Sequence, residues 1–150
     1  MDALDIKIIN ALQRNSRASI TSISEDLRIS NVATKQRVEK LEKSGVIKGY
    51  TAVLDHELLG YKTVAYIGVF LEKAKDYNAV LSKLNKIPQI LEAHFTTGNY
   101  SVFAKIIAED NKHLMKILNS DVQSIKGISR TETFISLEEG ITNKSLPIFC

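Results

Sequence analysis

A single cysteine, Cys150, closes the 150-residue sequence. One thiol makes no intrachain disulfide, so the fold rests on its core, and a reducing compartment is expected. Long apolar runs are missing too; none approaches the roughly 20 residues that a membrane-spanning helix needs. The opening residues, MDALDIKIINALQ, begin with acids and alternate polar with apolar positions, unlike a secretory leader. A cytoplasmic location is therefore expected. The charge is nearly balanced, at +3, and a mild excess of this kind singles out no polyanionic partner. There is no P-loop, no GxGxxG and no nucleophile elbow. His56, His94 and His113 lie far apart, without metal-ligand spacing. These absences predict no catalytic residues, no metal and no cofactor, and hence a protein that is not an enzyme.

The apolar fraction, 44%, is enough to build a core. Charge, although balanced overall, is concentrated locally. Between Arg28 and Lys48 stand Arg28, Lys35, Arg37, Lys40, Lys43 and Lys48 against Glu39 and Glu42. Apolar residues at Leu4, Ile8, Ile9 and Leu12 predict a helix over about 2–14 with one buried face. Ser19 reads as the N-cap of a short helix through Leu27, and Ser30 as the cap of a third helix over Asn31–Ser44. Gly45 supplies its left-handed stop. VIKGYTAVL follows, with Gly49 at a bend, and reads as a short strand or wing. Two close helices and a hairpin are the layout of a winged helix-turn-helix.

Placing Thr34, Val38 and Leu41 toward the core leaves Val32, Ala33, Gln36, Arg37, Lys40 and Lys43 outward or flanking. Residues at the start of such a helix reach base edges. Asn31 sits at that start. Arg37 could pair with guanine and Gln36 with adenine, while Val32 and Ala33 could touch thymine methyls. Arg28, Lys40 and Lys48 suit phosphates, which set register without reading sequence. Double-stranded DNA is therefore the expected partner, although a solvated, salt-laced helix face would share this pattern.

Beyond a connector, DHELLGYK, the pattern changes. Strands are expected over 63–72, 90–97, 100–109 and 128–138, with helices over 76–87 and 111–125. Gly98-Asn99 suggests a hairpin turn. The order β-α-β-β-α-β predicts a ferredoxin-like unit with two helices on one face of an antiparallel sheet. The fold class is thus α+β: a winged helix-turn-helix over 1–60, then a ferredoxin-like domain over 61–150. Near-continuous apolar runs such as VAYIGVF suggest that the uncovered sheet face is apolar as well, and a second copy packed sheet to sheet would cover it.

Four stretches together carry a family resemblance: LDIKIINALQRNSR, the pattern S-x6-R-V-x-x-L-E-x-x-G-V-I-x-G-Y from Ser30 to Tyr50, TAVLD directly after it, and TTGNYS. Nearly the whole chain resembles the Lrp/AsnC, or feast/famine, transcription regulators. The resemblance implies homodimers joined through the C-terminal sheet, higher assembly commonly to octamers, and often an amino-acid effector bound between dimers in what is called the RAM domain. Carried onto this chain, the effector-binding positions would be Thr97, Gly98, Asn99, Tyr100 and Ser101, with Thr131 and Thr133. Two departures stand out. Relatives commonly show Gly-Asp-x-Asp at the turn, but here Gly98-Asn99-Tyr100-Ser101 lacks both acids. That points to weak amino-acid binding, a less cationic effector, or none. Arg28 stands where relatives often have glycine. The reading that results is a sequence-specific DNA-binding regulator open to modulation by an amino acid or related small metabolite; the alternative is an architectural protein that coats or bends DNA without an effector.

Overall fold

The computed structural model describes residues 1–148, so Cys150 lies outside the described residues. It divides into two compact units, residues 1–53 together with 141–148, and residues 54–140. The expected division fell at 60. It had not foreseen that the C-terminal segment joins the helical unit. Gln13 fastens that segment by accepting from the Leu146 amide at 2.7 Å and donating to its carbonyl at 3.3 Å, and Ile148 packs on the helical core.

The helical unit holds α1 (Ala3–Arg14), α2 (Ile20–Leu27) and α3 (Asn31–Lys43). Local chemistry sets each start. Asp2 accepts from the Asp5 and Leu4 amides, while Asp5 accepts from the Asp2 amide, a reciprocal capping box. Ser19 and Ser30 cap α2 and α3 through the amides of Ser22 and Ala33. Ile8, Ile9, Ile23, Val38 and Leu41 form the core between them. Gly45, at φ +76°, ends α3, and the Ile47 amide turns back to the Leu41 carbonyl.

The strand expected in the wing does not form. Among the described residues the stretch 46–55 has no ladder partner. Ile47 instead packs on the helical core, and Tyr50 donates to Glu42 at 2.9 Å. Extended backbone becomes a strand only when a neighbour takes its hydrogen bonds.

The second unit is a four-stranded antiparallel sheet in the order β2-β3-β1-β4, from β1 (Thr63–Leu71), β2 (Ile90–Phe95), β3 (Val102–Ala108) and β4 (Ile128–Ile135). Between these strands lie α4 (Tyr77–Leu84) and α5 (Asn111–Lys116), and the latter continues as a π-helical turn over Ile117–Val122. The β-α-β-β-α-β order matches the sequence reading. Ala65, Ile67 and Val69 of β1 and Val102, Ala104 and Ile106 of β3 meet Val80, Leu84, Leu114, Ile117 and Val122 in one core. Alternation sends Tyr66, Phe70 and Phe103 to the opposite face, where Tyr100 and Phe134 join them in a chain of ring contacts. That face is an aromatic stripe edged by Lys105, Arg130 and Glu132, rather than the continuous apolar surface expected.

Candidate nucleic-acid interface

The helix-turn-helix is held by polar contacts that point inward from α2 and α3. Thr34 is fully buried, and its hydroxyl donates to the Ser30 carbonyl at 3.1 Å. The Ser24 hydroxyl, also buried, meets the Thr21 carbonyl and the side-chain amide of Asn31. Between the helices Arg28, where relatives often have glycine, takes the left-handed conformation, φ 56° and ψ 44°. The turn therefore closes with its side chain exposed to solvent.

The outward face of α3 divides into tied and untied residues. Val32 is 66% exposed. Gln36 and Lys40 are exposed, and among the described residues neither side chain has a hydrogen-bond or ion-pair partner. Ala33 is half-buried at the helix start, and Lys48 is exposed beyond the helix end. Lys35 faces Glu39 at 4.0 Å along the helix. Val32, Gln36, Lys40 and Lys48 are thus exposed, as the outward face read from the sequence expects.

Arg37 departs from that expectation. Its Nη1 donates to Asp2 Oδ2 and to Asp5 Oδ1, each at 2.7 Å. The guanidinium therefore belongs to the N-terminus of α1 rather than standing free to read guanine. The reciprocal backbone bonds of the capping box, and then the guanidinium, hold both carboxyls below the usual carboxylate range. Burial of Asp5 acts against this. Asn31 is likewise engaged, by Ser24, although the residue is exposed. The acids were visible as helix-start residues, but nothing in the local pattern showed that a cation 32 residues away would complete their cluster.

The residues carried over for an effector do not converge within one chain. Thr97, Gly98 and Asn99 form an exposed tip. The expected hairpin forms between β2 and β3; residues 96–101 lie outside the strands, the Thr96 amide bonds the Ser101 carbonyl across the loop, and the Ser101 amide reaches Val69. Gly98 has φ +112°; Asn99 does not take a positive φ. The Tyr100 ring lies over Gly68, where a Cβ would overlap it, and its hydroxyl donates to Glu132 at 2.8 Å. That places Tyr100 on the open sheet face. Thr131 and Thr133 pair with Val69 and Ile67, so they point to the helical face, and Gln123 donates to Thr131 at 3.4 Å. Ser101 is half-buried at the loop end.

A second polar cluster escaped the sequence reading. Glu139 accepts from Lys105 Nζ at 2.8 Å and faces His56 Nε2 at 2.9 Å, while His56 Nδ1 donates to the Tyr61 carbonyl at 2.7 Å. Both ring nitrogens thus face acceptors. The carbonyl and then the carboxylate raise the His56 pKa above its ordinary value, and Lys105 and His56 together lower that of Glu139. Among the described residues no group of three or more His, Cys, Asp and Glu is placed to hold a metal, and no helix is long and apolar enough to cross a membrane.

A helix-turn-helix that exposes a cationic helix face, followed by a ferredoxin-like unit with an open aromatic sheet face, defines a two-unit DNA-binding regulator. Residues 1–48 match the model for winged helix-turn-helix DNA-binding domains, and residues 64–146 match the Lrp/AsnC ligand binding domain. The chain belongs to the Lrp/AsnC family of transcription regulators. It is 36% identical to the regulatory protein AsnC of Haemophilus influenzae, over 98% of both chains. It is 38% identical to the HTH-type transcriptional regulator FL11 of Pyrococcus horikoshii, covering 99% of this chain and 97% of that one. The Escherichia coli AsnC structure superposes with a TM-score of 0.92, at 34% identity and 97% coverage of each chain. A transcriptional regulator of Neisseria meningitidis, solved as a complex with L-Met, gives 0.92 at 27% identity, over 98% of this chain and 96% of that one.

Proposed function

We propose that this regulator binds double-stranded DNA with sequence preference through α3, as a homodimer that assembles further, commonly to an octamer, in the cytoplasm. The observation that carries the reading is the untied outward face of α3. Val32 and Gln36 are available to base edges there, and Lys40 is available to phosphate, while Arg37 and Asn31 are engaged within the helical unit. Gln36 suits adenine, and Val32 with Ala33 suits thymine methyls. Arg28, Lys40 and Lys48 supply backbone contacts.

The test is fluorescence anisotropy on an operator found by genome-wide footprinting, with a random duplex at the same salt as control. Gln36→Ala is expected to lower operator affinity by about 1–3 kcal/mol and leave random DNA unchanged. Lys40→Ala should weaken both and reduce the salt slope by about 1. An operator-to-random ratio near one for the unmodified protein would favour the coating protein instead.

For the effector we propose a small amino acid or related metabolite held between subunits. Within one chain Tyr100 and the pair Thr131 and Thr133 occupy opposite sheet faces, so a site using them all needs a second chain. The L-Met complex of the Neisseria relative supports the ligand class. Asn99 and Ser101 offer only neutral hydrogen bonds, which suits a ligand with an uncharged side chain. Calorimetric titration with the twenty amino acids is expected to favour neutral ones; a low-micromolar lysine or arginine complex would overturn this.

A further inference from the structure

A concavity of about 980 Å³ in the 54–140 unit lies between α4 and the π-helical turn after α5, on the helical face. Lys73, Lys75, Lys83, Lys86 and Lys126 line it, from several different segments. Among the described residues none of the five has a carboxylate within 4.0 Å, although Glu72, Asp76 and Asp121 share the groove. Five ammonium groups against three carboxylates leave the concavity with an excess of positive charge, which an anion would offset.

The walls are built by backbone packing. The Glu72 amide bonds the Gly127 carbonyl at 2.8 Å, and Gly127, at φ +102°, lets Asp76 approach so closely that a Cβ would stand 3.0 Å from it. On the far wall the helix widens to i→i+5 bonding, with the Gln123 amide on the Leu118 carbonyl at 2.9 Å, a distortion that recurs at functional sites. Ser120, Asp121 and Ser124 line the groove from this segment.

We propose that this groove binds a nucleoside polyphosphate. Lysine ammonium groups act as point charges that bind phosphate oxygens. Ala79, Ile87, Pro88 and Ile125 add apolar surface, which a base or sugar face can cover and a bare polyphosphate cannot use. The three carboxylates can accept from ribose hydroxyls and base amino groups. The volume far exceeds the need of a single amino acid and falls within the range of small-molecule sites. Its lining includes no residue of the turn 97–101 or of α3.

The experiment is calorimetric titration of the full chain with ATP, GTP, adenosine, tripolyphosphate and a random duplex, using the unmodified protein, Lys83→Ala/Lys126→Ala and Lys83→Arg/Lys126→Arg. ATP or GTP is expected to bind with a Kd of about 1 mM or tighter. The alanine pair should weaken it by about tenfold or more, and the arginine pair should retain binding. Adenosine should bind at least about tenfold more weakly, and operator affinity should not change. The proposal fails if neither nucleotide binds the unmodified protein by about 10 mM, or if the alanine pair binds as well as the parent. Tripolyphosphate as tight as ATP would remove the nucleoside from the assignment. A random duplex that displaces the nucleotide and is itself weakened by the alanine pair would give the groove to DNA.

Discussion

Arg28 sits at φ 56°, a left-handed conformation that glycine accepts without penalty and a branched or long side chain does not. Replacing it by glycine should raise stability by about 1 kcal/mol, read by urea unfolding, while weakening DNA binding at low salt. Unchanged affinity would remove Arg28 from the phosphate contacts. His56 makes the opposite kind of statement, one about pH. Its raised pKa means that the folded chain holds the imidazole proton more tightly than the unfolded chain does. The contribution is therefore complete below about pH 6.5 and lost as pH rises through the folded value. Glu139 and Glu57 favour that charge, and Lys105 shares the Glu139 carboxylate. The melting temperature should fall between about pH 6 and pH 8, and His56→Ala should flatten the slope. For Asp2 and Asp5 the sign reverses: their contribution is present above about pH 4 and lost as pH falls below it. Arg37→Ala should lower the melting temperature by several degrees at neutral pH while affecting random and operator DNA alike. Loss confined to the operator would return Arg37 to base reading.

The secondary-structure elements were largely legible. Ser19, Ser30 and Gly45 mark the ends of α2 and α3 because capping depends on neighbours three or four residues away. Ser30→Ala should cost about 1 kcal/mol and reduce DNA binding without touching an outward residue, measured by chemical unfolding and anisotropy. Apolar spacing likewise revealed the buried faces: Thr34, Val38 and Leu41 are all buried. Two elements escaped. The wing strand was inferred from β-branched and aromatic composition, but composition cannot supply a pairing partner. The helix over 111–125 was read as uniform, yet it widens to π over Ile117–Val122 while keeping Ile117 and Val122 buried, an adjustment that spacing does not signal.

At the scale of the molecule, the open sheet face carries Tyr66, Phe70, Tyr100, Phe103 and Phe134, with Phe134 46% exposed. Our proposal that a second copy covers this face predicts that Phe103→Glu or Phe134→Glu shifts sedimentation toward monomer, since a carboxylate buried opposite an aromatic surface is heavily penalised. A symmetric dimer presents two α3 helices, so its operator should be roughly palindromic, with half-sites about one helical turn or a multiple apart.

Short-range physics was readable in the chain by itself: helix caps, the alternation of strand faces, the strand and helix order, and the concentration of cations between Arg28 and Lys48. Each depends on residues a few positions apart, and an extended or helical period converts spacing directly into direction. Only the tertiary structure decided which distant groups would meet. Arg37 joins Asp2 across 35 residues, His56 joins Glu139 across 83, and Gln13 joins Leu146 across 133. It also set Tyr100 and Thr131 on opposite faces of one sheet, since strand register depends on pairing rather than on either strand alone. A period tells a side chain which way to point; what stands opposite depends on packing of the whole chain.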